Sequence, residues 1–199
     1  TEILYFRESY TASSQAVVWV KVPTLATSTD TDVYMYYSNG AVSDGSATST
    51  FSYIDTFEDA GISEYSGDTA LFAVDGTYAY ERSYGLDATG NESAKATDGI
   101  YRTDVTVSQG QTIRYMQYIS TTAGSGDETC TLFGVQSPGS NNQNYAVCLE
   151  LFGTDRVSLA KDVDYNDTSG TVLSSTTITY VTGWHEVEID WGTDDSISV

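Results

Sequence analysis

Short runs of alternating apolar and polar residues recur along the whole chain. In Ala16–Val22 the residues Val18, Val20 and Val22 occupy every second position, so they share one face of an extended strand. Pro23 ends this strand, because proline cannot donate a hydrogen bond to a strand ladder. The same pattern predicts strands at residues 3–7, 16–22, 33–37, 50–54, 70–74, 79–84, 100–107, 112–120, 129–136, 145–152, 156–161, 176–182 and 184–191.

Turn-forming segments separate these runs, as in Ala123-Gly-Ser-Gly-Asp127 and Ser137-Pro-Gly-Ser140. Strand formers such as Tyr, Thr and Val are abundant, whereas helix formers are scarce. Many short strands separated by turns are typical of an antiparallel sandwich or jelly roll. We therefore predict an all-β fold in which an antiparallel β-sandwich follows a partial, smaller β-domain.

The predicted boundary between the two domains lies in residues 42–49, which are rich in Gly, Ser, Thr and Asp and show no periodicity. This places a partial N-terminal β-domain at residues 1–50 and the sandwich at residues 51–199, where Thr56–Asp68 leads into its strands. The last residues, Ser196–Val199, look like the beginning of a strand, and the first residue is Thr1 rather than Met. We expect the chain to be a piece of a longer extracellular protein, with a C-terminally incomplete sandwich.

The chain is strongly acidic, with 28 Asp and Glu against 8 Lys and Arg and a formal charge of −20. Such a charge repels nucleic-acid phosphates and disfavours a nucleic-acid partner. At about 1 M salt the Debye length falls to roughly 3 Å, so the repulsion within an acidic surface is screened. The composition therefore indicates a halophilic source, and the alternative is an acidic secreted protein or one that collects calcium. No apolar run reaches the length of about 18 residues expected of a transmembrane helix.

Two parts of the sequence resemble known families. Ala16–Pro23 and Val33–Asn39 resemble the second half of an uncharacterised β-rich domain of secreted archaeal and bacterial proteins, over about residues 3–51. Phe57–Asp68, Glu81–Asp87 and Gly183–Gly192 are similar to concanavalin-A-like (laminin-G-like) lectin and glucanase domains of halophilic archaeal surface proteins, over about residues 51–199. The resemblance implies a concanavalin-A-like jelly roll at the surface of a cell or virion.

Cys130 and Cys148 flank the turn at Ser137–Ser140, and their midpoint falls on Gly139. In a symmetric hairpin the two cysteines would face each other across neighbouring strands, within reach of a disulfide. A disulfide suits an extracellular chain, and the alternative is a pair of reduced buried thiols. A zinc site is disfavoured, because His185 is the only histidine and no Cys-x-x-Cys occurs.

The segment His185–Trp191 places three carboxylates, Glu186, Glu188 and Asp190, on one face of a predicted strand. Laminarinase-type glucanases use three carboxylates with this spacing as nucleophile, helper and acid/base. Their order is Glu, Asp, Glu, whereas this strand offers Glu, Glu, Asp, which would misplace two groups by about 1 Å, a shift that can cost about a hundredfold in rate. We predict no catalytic residues here and interpret the row as an acidic outer face.

Carboxylates on turns near the start of the second domain are candidate calcium ligands, because calcium prefers oxygen donors. Asp55, Glu58 and Asp59 cluster in the sequence there, and the family resemblance implies that Asp190 joins them. Structural calcium is the only cofactor that the sequence suggests, and the alternative is a set of solvated acidic turns.

Two sequons, at Asn91 and Asn166, are candidate glycosylation sites in an exported chain. Tyrosines are numerous and can either stack on sugar rings or serve as half-buried strand residues. Those in the second domain include Tyr78, Tyr80, Tyr84, Tyr101, Tyr115 and Tyr118.

The resemblance to lectin-like domains implies a non-catalytic module for glycan recognition or adhesion, with a cell-surface glycan as partner. The alternative is a structural subunit of an extracellular filament, sheath or viral spike that pairs with neighbouring copies of itself. A laminarinase-type glycoside hydrolase is the third interpretation, which the order of the carboxylates disfavours.

Overall fold

The structure, a computed structural model, describes residues 2–37, 45–88, 99–120, 127–134, 143–152, 154–163 and 170–199. One helical turn, α1 (Ala47–Thr50), and a 3-10 turn (Thr69–Leu71) accompany the strands. The strands are β1 (Leu4–Thr11), β2 (Gln15–Lys21), β3 (Ser66–Gly67), β4 (Phe72–Asp75), β5 (Gly85–Ala88), β6 (Ile100–Tyr101), β7 (Gln111–Ile119), β8 (Asp127–Phe133), β9 (Tyr145–Phe152), β10 (Thr154–Lys161), β11 (Thr171–Thr177), β12 (Gly183–Trp191) and β13 (Ile197–Ser198).

The chain divides into two compact units, residues 1–56 and residues 57–199. In the first unit β1 and β2 form an antiparallel hairpin with a bulge between Arg7 and Ser9. The ring of Phe51, which follows α1, packs edge-on against Phe6 and Trp19, with ring centroids 5.8 and 5.5 Å away. These three rings form the small apolar centre of the unit.

The second unit is an antiparallel β-sandwich, which confirms the predicted all-β fold. One layer has four strands in the order β11-β10-β9-β8, and the other has three in the order β13-β12-β7. The core lies between the layers, because residues of both sheets belong to one buried cluster. Its buried members are Ile119, Phe133, Val147, Leu149, Tyr180, Val187 and Ile189.

Two short ladders complete the second unit. β3 pairs with β6, and β4 pairs with β5. Arg102, which follows β6, makes ion pairs with Glu64 at 3.3 Å and Asp104 at 2.7 Å and lies over the ring of Tyr65. The segment that leads into the sandwich is therefore tied to β6 by charge as well as by the ladder.

The disulfide between Cys130 and Cys148 is formed in this structure. The two residues face each other in the β8–β9 ladder, which is the register expected for a hairpin centred near Gly139. The cysteines contact Ala146, Ala160 and Val163 in a second buried cluster, on the side of the sheet away from the main core. The bond therefore links the edge strand β8 to its neighbour β9 on the face of the four-stranded sheet that lies away from the main core.

Three strand predictions are wrong. Residues 33–37 have no regular secondary structure, and their side chains are exposed, with 92% of Tyr36 accessible. Residues 50–54 contain the end of α1 and a bend, and residues 79–84 form a loop before β5. Aromatic and β-branched residues favour strands only where another strand pairs with them, so composition alone mispredicts these segments.

Other predicted strands are shorter or shifted. The strand predicted over 100–107 forms only at Ile100–Tyr101, and the one predicted over 176–182 lies at Thr171–Thr177. By contrast, Tyr145–Phe152 matches its prediction at both ends. No helix in the described part of the chain has the length and apolarity needed to cross a membrane.

Candidate functional site

The outer face of the three-stranded sheet carries the candidate site. Along β12 the side chains alternate, so that Val187 and Ile189 are buried in the core whereas Glu186, Glu188 and Asp190 are exposed. Trp184 lies two residues before Glu186, so it occupies the same face of the strand as the three carboxylates. One strand thus supplies both a core stripe and a surface row of one aromatic and three acidic residues.

The neighbouring strand β7 supplies the partners of this row. In the antiparallel register Trp184 faces Tyr118, Glu186 faces Met116, Glu188 faces Arg114 and Asp190 faces Thr112. Arg114 Nη2 donates to Glu186 Oε2 at 2.5 Å, and Thr112 Oγ1 donates to Asp190 Oδ1 at 2.5 Å. Two of the three carboxylates are therefore engaged by the adjacent strand.

Four aromatic rings form a continuous surface at one end of this face, which we call the aromatic platform: Tyr78, Tyr80, Tyr118 and Trp184. The ring centroids of Tyr78 and Tyr118 lie 4.5 Å apart, those of Tyr118 and Trp184 5.5 Å, and those of Tyr80 and Trp184 5.4 Å. Tyr78 and Tyr80 remain exposed at 44% and 42%. The platform thus presents apolar ring surface to solvent beside a row of hydrogen-bonding groups.

The loop between β4 and β5 holds Tyr78 and Tyr80 in place. Asp75 Oδ1 accepts a hydrogen bond from the backbone N–H of Thr77 at 2.7 Å, which turns the chain at the start of the loop. At its end a Cβ on Gly85 would lie 2.3 Å from the carbonyl oxygen of Tyr78, so only glycine permits this close approach.

Glu58 anchors the same loop from outside. Its Oε1 accepts hydrogen bonds from the backbone N–H groups of Ser83 and Tyr84, at 2.9 and 3.0 Å. Glu58 was predicted as a calcium ligand, and the structure gives it this loop contact. Hydrogen bonds to an ionised carboxylate are stronger than those between neutral groups. The two bonds therefore hold the last residues of the loop, Ser83 and Tyr84, in place.

The four predicted calcium ligands occupy different surroundings. Asp55, in the first unit, accepts a hydrogen bond from the hydroxyl of Tyr53 at 3.3 Å. Asp59 accepts one from the N–H of Gly61 at 3.4 Å, and Asp190 lies in β12. Within the described residues no three His, Cys, Asp or Glu side chains form a group that could hold a metal ion. Calcium binding stays a prediction.

The two predicted glycosylation sites, the sequons at Asn91 and Asn166, lie outside the described residues.

Tyr115 packs against the core, where its hydroxyl accepts a hydrogen bond from Thr131 Oγ1 at 2.8 Å, and burial raises the pKa of its phenol. His185 Nε2 lies 2.6 Å from the carbonyl oxygen of Val181. Tyr115 is therefore a residue between the layers and not part of the aromatic platform.

The ion pair with Arg114 lowers the pKa of the Glu186 carboxyl, chiefly through the hydrogen bond that Arg114 donates. A lowered pKa in the folded state means that the pair stabilises the fold above the ordinary Glu pKa and loses this effect as the pH falls through the lowered value. We expect an NMR titration of the Glu186 carboxyl to give a pKa below the ordinary Glu range, and Arg114→Gln to return it towards that range. Equal values before and after this substitution would show that the pair does not form in solution.

Sequence reasoning identified the carboxylate row but missed Arg114 and the role of Trp184. The alternation along residues 184–190 already places Trp184 with the carboxylates, so that signal was available. The pairing of β12 with β7, which brings in Tyr118 and Arg114, spans about 70 residues of sequence and leaves no local signal.

Comparison with known proteins bears on the first part of the chain. Searches against curated proteins and against solved structures find no match. Among protein families, one described as a domain of unknown function (DUF2341) matches residues 1–68. This stretch contains the β1–β2 hairpin and runs just past β3. Over that third of its length the chain is similar to DUF2341.

Proposed function

We propose that this protein is a non-catalytic module that recognises a glycan through the outer face of its three-stranded sheet. The observation that carries the proposal is the aromatic platform, in which four neighbouring rings end beside exposed carboxylates. Aromatic faces provide rigid apolar surfaces against which the C–H faces of sugar rings pack. A glycan-binding or adhesion role at a cell or virion surface, in concentrated salt, fits this surface and the charge of −20.

The carboxylate row supplies the directional contacts that such a site needs. The side chain of Glu188 is exposed and makes no hydrogen bond or ion pair with another described side chain, and an ionised carboxylate can accept bonds from sugar hydroxyls at both of its oxygens. Glu186 and Asp190 are oriented by Arg114 and Thr112. A sugar stacked on Trp184 would therefore meet fixed acceptors along the strand.

A non-catalytic role is proposed because the carboxylates are not arranged as a hydrolase requires. The Arg114 guanidinium holds the pKa of Glu186 below its usual range, which suits an ionised acceptor and opposes a proton donor. The order Glu, Glu, Asp along β12 also places the shortest acidic side chain at the last position. We expect Glu186→Gln and the native protein to show the same absence of hydrolysis on β-glucans, and loss of a measurable native activity in Glu186→Gln would contradict the non-catalytic role.

Alanine substitution in the aromatic platform is expected to abolish most glycan binding. In Trp184→Ala and in Tyr80→Ala we expect affinity to fall about tenfold or more, because aromatic residues at the centre of a binding surface contribute most of its energy. The first step is a glycan array in molar salt, followed by calorimetric titration of the best ligand with each variant. Tyr36→Ala is the matched control, because Tyr36 is an exposed tyrosine outside the platform.

Two results would count against the proposed function. One is the absence of binding across a broad panel of neutral, amino and acidic glycans. The other is binding that both platform variants retain at full affinity while circular dichroism shows that they are folded. Loss of binding in Tyr36→Ala would instead place the site in the first unit.

A further inference from the structure

The loop that carries Tyr78 and Tyr80 has no regular secondary structure. β4 ends at Asp75 and β5 begins at Gly85, and residues 76–84 between them form only turns and bends. Both tyrosines are exposed, so the core does not enclose their rings. The position of these two rings therefore depends on the contacts that the loop makes with its surroundings.

Two of these contacts are made by the rings themselves, on the outer face of the three-stranded sheet. Tyr78 lies 4.5 Å from Tyr118, and Tyr80 lies 5.4 Å from Trp184, measured between ring centroids. A pair of aromatic rings adds only a modest stabilisation to the area that it buries. The ring contacts alone are thus a weak attachment for a loop of this length.

The carboxylate of Glu58 provides a stronger attachment at the C-terminal end of the loop. Its Oε1 accepts hydrogen bonds from the backbone N–H groups of Ser83 and Tyr84 at 2.9 and 3.0 Å. Both bonds go to the backbone, so they fix the path of the chain and not the position of one side chain. A carboxylate acceptor also makes each bond stronger than a bond between neutral groups.

The segment that contains Glu58 is itself attached to the rest of the second unit. The N–H of Ala60 donates to the carbonyl oxygen of Phe57 at 3.1 Å, which closes a turn around Glu58. The ring of Phe57 stacks on that of Tyr65 at 6.4 Å, and the guanidinium of Arg102 lies 5.2 Å from the centre of the Tyr65 ring. The acceptor that holds the loop therefore has a fixed position near β6.

We propose that Glu58 is a positioning residue for the aromatic platform, which raises the affinity for a glycan without contacting it. By holding the end of the loop, it keeps Tyr78 and Tyr80 against the rings of the sheet. A site that is assembled in only a fraction of the molecules has an apparent dissociation constant that is larger by the inverse of that fraction. As far as affinity is concerned, this inference rests on the proposed function.

Calorimetric titration of the best glycan from the array tests the inference with three variants. We expect Glu58→Ala to weaken binding about three- to tenfold, the effect of a loop that is in place in about a tenth to a third of the molecules. Glu58→Gln keeps an acceptor oxygen and should restore the affinity to within about twofold of the native value. Asp59→Ala removes the neighbouring exposed acid, which accepts a bond from Gly61 and not from the loop, and should leave the affinity unchanged.

A double variant distinguishes positioning from direct contact with the glycan. In the Tyr80→Ala background the loop presents one ring fewer, so the further loss caused by Glu58→Ala should be smaller than in the native protein. A Glu58 that contacted the glycan itself would cause the same loss in both backgrounds, because independent contributions add.

NMR on the protein without any glycan gives a second readout. We expect nuclear Overhauser contacts between the rings of Tyr80 and Trp184, and between those of Tyr78 and Tyr118, in the native protein and in Glu58→Gln. In Glu58→Ala these contacts should weaken or disappear. The midpoint of thermal unfolding should change little, because Glu58 lies outside both buried clusters.

The outcomes separate this inference from the proposed function. Native affinity and unchanged ring contacts in Glu58→Ala would overturn the inference and leave glycan binding intact. Failure of Glu58→Gln to restore affinity and ring contacts, or an equal loss in Asp59→Ala, would show that the two hydrogen bonds are not the cause. If the native protein binds no glycan, the proposed function fails, and the ring contacts alone decide whether Glu58 positions the platform.

Discussion

Replacing Ile189 by alanine is expected to destabilise the second unit by about 2–5 kcal/mol, the usual cost of removing a large side chain from a packed core. Ile189 is fully buried, and it lies in β12 among core residues that come from both sheets. The substitution leaves a cavity between the layers that neighbouring strands cannot close without losing their ladders. The measurement is denaturant unfolding followed by far-UV circular dichroism, and the midpoint of thermal unfolding should fall by about 5–15 °C.

The adjacent residue provides the control for this prediction. Glu188→Ala changes an exposed side chain on the opposite face of the same strand, so its effect should stay within about 0.5 kcal/mol. Ile189→Val keeps most of the volume and should cost about 0.5–1.5 kcal/mol. If Ile189→Ala and Glu188→Ala had equal effects, the inward and outward faces of β12 would be assigned wrongly.

Removing the disulfide is expected to cost about 3 kcal/mol of the free energy of unfolding. The bond joins residues 18 positions apart, and a cross-link of this loop length restricts the unfolded chain by about that amount. The double variant Cys130→Ala/Cys148→Ala should therefore unfold at lower denaturant concentration than the native protein. Cys148 is buried, and alanine at both positions avoids an unpaired thiol there.

Reduction of the native protein distinguishes the disulfide from packing of the two side chains. A reductant should lower the stability of the native protein towards that of the double variant, and it should not change the variant. If reductant leaves the stability of the native protein unchanged and mass spectrometry finds two thiols, the cysteines are a pair of reduced thiols in solution and form no disulfide.

The core residues of β12 and its proposed binding residues lie on opposite faces of the same strand, so a change in the core can also affect binding. Ile189 and Val187 fix the strand in the core, while Trp184, Glu186 and Glu188 face outward from the same backbone. A core variant that shifts β12 would therefore also move the aromatic platform. Binding by Ile189→Val serves as a further check, because a folded core variant should retain most of its affinity for the glycan.

Local sequence was sufficient where a segment has a strong period of two and ends at a clear turn. The strand at Tyr145–Phe152 and the facing of Cys130 and Cys148 could both be predicted, since register in a hairpin follows from the turn between its strands. The alternation of acidic and apolar residues in β12 is equally local. Segments such as Val33–Tyr37 have the composition of a strand but no described pairing partner, and their prediction failed.

What the sequence by itself determined is the all-β class, the positions of most of the long strands and, in β12, the direction in which the side chains face. Each of these depends on residues within one strand or hairpin, where the backbone period settles the outcome. Only the tertiary structure decided which strands lie side by side. That choice joined Tyr78, Tyr80, Tyr118 and Trp184 into one platform, because pairing between distant strands depends on packing across the core, which no local pattern encodes.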